Sequence, residues 1–193
     1  MDFVETLLKR RSIRRFRQEK VSRDQLTALV EAARVAPCAA NRQKLRLVAI
    51  NSRAMVEKIF PLTRWGAKVA PRRNPVAGET SPTAFIAVCC EAENPDWLCG
   101  CDTGAVVENI LLRAVDMGLG CCWLAAFDHA GVDKLLFPQG EMHTISLVAV
   151  GYPAEVPEMV DAQSENDLDY YLDEKDVLHV PKLTAEKLAT FVE

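Results

Sequence analysis

Four short apolar runs constrain the fold most: LRLVAI (residues 45–50), AFIAVCC (84–90), CCWLAAF (121–127) and TISLVAV (144–150). They are short for buried helices and rich in β-branched and aromatic residues, so they read as central strands of a sheet. Between the second and third runs, residues 102–117 carry helical periodicity, with Asp102 as an N-cap and Gly118 as the stop. Asp102, Asn109, Arg113 and Asp116 share one stripe of that helix. The rest of its girth, including Val106, Val107, Ile110, Leu111, Leu112 and Val115, is apolar. A helix of this kind is expected to be buried on several sides, and a subunit interface is one way to bury it. Asn109 reads equally well as a satisfied interior amide or as a functional group.

Two further helices flank this set. Residues 2–10 place Phe3, Val4, Leu7 and Leu8 at helical spacing, and Ser22 with Gln25 forms a capping box that opens a helix through Leu26, Leu29, Val30 and Ala33 up to Pro37. Residues 61–82 hold four prolines and two glycines, which predicts a long connection that could act as a lid. Beyond Tyr152 the chain turns acidic and weakly periodic, and only residues 184–192 regain a helical pattern. We expect one domain over residues 1–193, its C-terminal tail (about 153–193) wrapping over the body or a partner subunit.

The formal charge is −4 and the sequence pI is about 5.5. No apolar run approaches the roughly 18 residues of a membrane span, and the opening MDFVETLLKRRS lacks the order of a secretory signal. A cytoplasmic enzyme or binding protein, without a membrane partner, is the expectation. Seven cysteines, an odd number, argue against a complete disulfide framework. Cys89, Cys90, Cys121 and Cys122 read as small buried apolar residues. The CGC of residues 99–101 lacks a paired C-x-x-C or a nearby histidine, and His129, His143 and His179 are scattered, so no metal is expected.

Against the acidic balance, residues 9–15 contain Lys9, Arg10, Arg11, Arg14 and Arg15 around Ser12. Such a cluster is a solvated helix end, a nucleic-acid patch or a pocket for a small anion. Nucleic acid would call for interleaved aromatics or a basic chain, and neither is present. A phosphate dianion calls for forked guanidinium donors and a hydroxyl, which Arg10, Arg11 and Ser12 supply in consecutive positions. No G-x-G-x-x-G follows any of the strands, so a separate nicotinamide site of that type is not expected.

Five motifs in order resemble the nitroreductase family of FMN-dependent flavoproteins over nearly the full length. RRSIRRF matches an R-x-S-x-R/K-x-F pattern at Arg10, Ser12, Arg14 and Phe16. APCAANRQ matches A-P-S-x-x-N-x-Q at Pro37, Asn41 and Gln43, with Cys38 where serine is common. The helix of residues 102–117 with its GLG exit, the strand ending VGYPAE, and a tail reading VPK complete the set, although Leu183 stands in place of an arginine.

The resemblance implies an α+β fold, a central mostly antiparallel sheet flanked by helices, in an intertwined homodimer with FMN at each interface. It places Arg10 and Ser12 on the FMN phosphate with Arg11 nearby, and Arg14 at the pyrimidine edge as an electrostatic stabiliser of reduced flavin. Pro37, Cys38, Ala39, Asn41 and Gln43 would come from the partner subunit, and Leu124, Ala125 and Ala126 would lie beside the ring. Lys182 would be either a phosphate contact or a surface lysine. The implied activity takes hydride from NADH or NADPH and reduces a nitroaromatic, quinone or similar small acceptor by a ping-pong mechanism. A reductive dehalogenase-like reaction and a non-catalytic flavin-binding role are the alternatives.

Overall fold

All four apolar runs become strands of one sheet in the computed structural model, which describes residues 2–93, 95–162 and 164–192. In chain order the body comprises α1 (Phe3–Lys9), β1 (Phe16–Arg17), α2 (Arg23–Arg34), β2 (Arg46–Ile50), α3 (Arg53–Ile59), β3 (Ala84–Cys90), α4 (Trp97–Asp116), β4 (Gly120–Leu124), α5 (His129–Leu136) and β5 (His143–Pro153). Every pairing in this sheet is antiparallel. β5 is its spine: β3 pairs along one edge, while β4 and then β1 share the other. The fold is α+β, as the resemblance implies.

The sheet is covered on both faces, which explains why its central strands read as continuous apolar runs rather than as alternating patterns. Ala84, Ile86, Val88, Val148 and Val150 share a core with Leu26, Leu29, Val107, Ile110 and Ala114 of α2 and α4. Phe85, Ala87, Cys89, Leu147 and Ala149 share the opposite core with Ile13, Phe16, Ile59 and Val132. Ser22 and Gln25 form the expected capping box on α2. Asn109 donates to the Ala32 carbonyl at 3.0 Å and so ties α4 to α2.

Three elements differ from expectation. α4 begins at Trp97, because the Asp96 side chain caps it by accepting from the Cys99 N–H at 2.8 Å. Asp102 is therefore an interior, buried residue of the helix rather than its cap. β4 stops at Leu124, and Phe127 instead bridges Thr63 of the long connection. The tail contains a second sheet of β6 (Glu158–Ala162), β7 (Tyr171–Leu172) and β8 (Leu178–Leu183), with β8 central, and its helical ending shrinks to α6 (Ala185–Leu188).

The basic segment lies directly on the main sheet. Gly120 and Gly151 oppose each other across β4 and β5. A Cβ at Gly120 would lie 2.7 Å from Ile13 Cγ1, and one at Gly151 would lie 2.8 Å from Phe16 Cδ1. These glycines let the chain between Ile13 and Phe16 approach the strands closely. α1 exposes Phe3, Val4, Leu7 and Leu8, and the tail exposes Leu188, Phe191 and Val192.

Candidate functional site

The basic segment is held by its backbone, which leaves several of its side chains free to converge. α1 ends at Arg10, whose N–H returns to the Thr6 carbonyl at 3.1 Å. Ile13 donates to the Cys121 carbonyl at 2.8 Å, and Ser12 forms a parallel bridge with Cys121. The N–H groups of Arg14 and Arg15 both donate to Oε1 of Glu155, the latter at 3.0 Å. From this frame Arg10, Arg11, Ser12 and Arg14 line a cavity of about 70 Å³ together with Tyr170, Val180 and Lys182. None of these lining residues is acidic.

The side chains differ in what they can offer. Arg11 donates to the carbonyls of Leu8 (2.7 Å) and Arg10, so its guanidinium braces the turn after α1. Its burial, followed by the neighbouring Arg10 charge, holds its pKa below the usual arginine value. Among the described residues Arg10 has only a 3.5 Å ion pair with Glu108. Arg14 places its guanidinium carbon 5.1 Å from the Tyr170 ring centroid, a cation–π distance. Its other side runs against Gly66, where a Cβ would lie 3.2 Å from Arg14 Cδ and Nε. Arg14 Nε is buried and has no hydrogen-bond partner among the described residues.

A charged network joins the connection of residues 61–82 to the tail. Arg73 Nε lies 2.9 Å from Glu155 Oε2, with side chains only 5% and 3% exposed. This is a charge contact whose geometry does not meet hydrogen-bond alignment. Asp176 meets Arg73 at 2.7 Å, Arg72 at 3.0 Å and Arg15 at 3.1 Å. Desolvation works to raise its carboxyl pKa, but Arg73, Arg15 and Arg72 outweigh that and hold it below the usual range. Lys68 pairs with Asp169 at 3.0 Å, and its N–H donates to the Tyr170 hydroxyl at 3.4 Å.

Pro37, Cys38, Ala39, Asn41 and Gln43 form a second group at another place. Ala40, Asn41 and Gln43 have φ of 51°, 52° and 47°, a left-handed conformation that costs energy away from glycine. The turn is enforced from α4 and from within: Ala39 N–H donates to Asp102 Oδ1 at 2.9 Å, Arg42 meets Asp96 at 3.3 Å, and Gln43 N–H reaches Cys38 Sγ at 3.4 Å. Asn41 and Gln43 are exposed. β2 begins after this turn at Arg46, opposite Cys89 and hence level with Thr144, whereas Ser12 bridges Cys121, level with Val150. Six residues of strand separate those levels, about 20 Å. None of Pro37, Cys38, Ala39, Asn41 and Gln43 lines the cavity of Arg10, Ser12 and Arg14.

Leu124 is buried at the end of β4, and Ala125 and Ala126 are exposed beyond it, with the Ala126 carbonyl accepting from Arg64 N–H at 2.9 Å. Among the described residues no group of three His, Cys, Asp or Glu side chains gathers as a metal site. Cys99 is buried and Cys101 exposed on α4. Burial pushes the thiols of Cys89 and Cys122 up to about 12 and about 11, so they stay protonated at neutral pH and behave as core.

The residues present fit a phosphorylated flavin. Arg10, Ser12, Arg14 and Lys182 present donors to one small cavity, as a phosphate monoester requires, and the buried Arg14 Nε has an N–H still to be satisfied. Sequence reading missed Glu155, Arg73, Asp176 and Tyr170, although Glu155 ends the VGYPAE motif and Arg73 stands in the proline-rich connection.

Alongside this α+β fold and clustered cationic cavity, the sequence matches the model of the Nitroreductase family over residues 7–152. The chain belongs to the nitroreductase family. It is 29% identical over 165 residues to a putative NADH dehydrogenase/NAD(P)H nitroreductase of Methanothermobacter thermautotrophicus, covering 81% of this chain and 80% of that protein. A nitroreductase family protein of Clostridium difficile 630 superposes with a TM-score of 0.66 at 20% identity, covering 99% of this chain and 98% of the other. A nitroreductase with bound FMN from Bacteroides fragilis superposes with a TM-score of 0.63 at 22% identity, covering 86% and 95% respectively.

Proposed function

We propose that the protein is an FMN-dependent NAD(P)H oxidoreductase that works as a homodimer and reduces a nitroaromatic, quinone or similar small acceptor. The observation that carries this reading is the convergence of Arg10, Ser12, Arg14 and Lys182 on one small cavity. Arg10, Ser12 and Lys182 hold the phosphate, and Arg14 faces the edge of the ring where negative charge collects on reduction. The flavin supplies the hydride chemistry, and the chain contributes placement, charge and exclusion of water. The names of relatives support the nicotinamide donor and the flavin.

Dimerisation is supported by the separation of the two residue groups: Pro37, Cys38, Ala39, Asn41 and Gln43 lie outside the cavity lined by Arg10, Ser12 and Arg14, and a second copy would supply them to the ring. Leu124, Ala125 and Ala126 complete the wall beside the ring. The exposed apolar residues of α1 and of the tail are suited to cover the partner. Residues 1–193 form one domain in this reading. Seven free thiols suit the reducing cytoplasm. Without a second nucleotide fingerprint, donor and acceptor take turns at one flavin face, which gives ping-pong kinetics.

Titration of the apo-protein with FMN, followed by sedimentation, tests this reading. One FMN per subunit on a dimer is expected. A flavin-loaded monomer removes the shared site, and failure to bind FMN removes the function.

A further inference from the structure

Glu155 is a buried carboxylate that contacts the basic segment, and we infer that it is a positioning residue that aims Arg14 and thereby sets the balance between oxidised and reduced flavin. This inference rests on the proposed FMN site. One oxygen of Glu155 receives two successive backbone N–H groups, from Arg14 and Arg15. The side chains of those residues then diverge: Arg14 lines the cavity beside Tyr170, and Arg15 leaves it for Asp176 at 3.1 Å. Two N–H bonds to one acceptor fix the peptide planes on both sides of Arg14, so the carboxylate holds the backbone orientation from which Arg14, and not Arg15, enters the cavity.

Arg73 completes the device. It contacts the second Glu155 oxygen at 2.9 Å, and both side chains are nearly inaccessible to water. Its charge offsets that of Glu155, so the carboxylate can sit beneath a site for an anionic ligand without repelling it. The other end of Arg73 donates to the Asp176 carboxylate at 2.7 Å and carbonyl at 2.8 Å, which joins the same support to the tail. Glu155 thus touches neither the cavity nor a reacting atom, and acts through Arg14.

The test separates position from charge by measuring the flavin reduction potential and FMN dissociation constant of Glu155→Asp and Glu155→Gln, each also in an Arg14→Ala background. Glu155→Asp keeps the charge but withdraws the acceptor by one methylene. The expected result is a roughly tenfold loss in preference for reduced over oxidised flavin, about 30 mV for a two-electron couple. Glu155→Gln keeps an acceptor oxygen and removes negative charge, so its potential should stay level or rise. In the Arg14→Ala background, Glu155→Asp should shift the potential no further. An Asp variant that leaves the parent potential unchanged, an equal shift with and without Arg14, or a potential lowered in the Gln variant would each overturn the inference. If the Asp variant fails to load FMN, the Gln variant decides alone. A parent protein that binds no FMN sinks the functional reading and this inference with it; a parent that binds FMN while the variants behave otherwise than expected sinks this inference alone.

Discussion

Phe16→Ala is expected to lower the free energy of unfolding by about 3–5 kcal/mol, the usual cost of deleting a large buried aromatic side chain. Phe16 is fully buried, sits against the position where Gly151 lacks a Cβ, and belongs to the core shared by Ile13, Ile59, Phe85 and Leu147. Since whole domains are stable by only about 5–15 kcal/mol, the loss is a large fraction of the total. The effect should extend to the ligand, because Phe16 anchors the end of the segment that carries Arg10, Ser12 and Arg14. Denaturant unfolding of the apo-protein at fixed protein concentration measures it. Phe16→Leu should recover more than half of the loss, and a cost below about 1 kcal/mol for alanine would mean that the segment is not seated as described.

Arg10→Ala and Arg14→Ala should fail in different ways. An interaction present in both redox states changes only affinity, whereas one that strengthens as negative charge develops changes the redox equilibrium. Loss of Arg10, which we propose holds the phosphate, should therefore weaken FMN binding by about tenfold to a hundredfold, the equivalent of a charge-assisted hydrogen bond of roughly 1.5–3 kcal/mol, with little change in potential. Loss of Arg14, which we propose faces the ring, should lower the potential by roughly 30–65 mV and slow reduction by NAD(P)H. Potentials and dissociation constants measured on both reconstituted variants check the assignment. A shift in potential on loss of Arg10, with none on loss of Arg14, would reverse the two roles.

Local chemistry was legible in the sequence wherever one segment determines its own structure. The Ser22–Gln25 box, the apolar strands and the small-residue exits are of this kind, since caps and burial act over a few residues. The start of α4 was misplaced because Asp96 and Asp102 both suit an N-cap, and only the tertiary contact of Asp102 with Ala39 reveals which is interior. Lys182 could be placed near the basic cluster only once the tail had a path, which depends on β8 pairing with β6 and β7. Glu155, Arg73 and Asp176 stayed invisible for the same reason: three residues more than twenty positions apart in the chain meet through folding. An isolated glutamate after a proline bears no mark of being buried.

In the proposed function this chain positions a flavin to accept hydride from a nicotinamide and pass electrons onward. Anaerobic rapid mixing of the FMN-loaded protein with NADH or NADPH tests this, followed by a second mixing with a quinone or nitroaromatic after the donor has been consumed. The account predicts loss of the oxidised-flavin absorbance with at least one donor, and its return in the second step without donor present. Flavin that binds but keeps its oxidised absorbance with both donors would contradict the account and leave a flavin-binding protein without turnover.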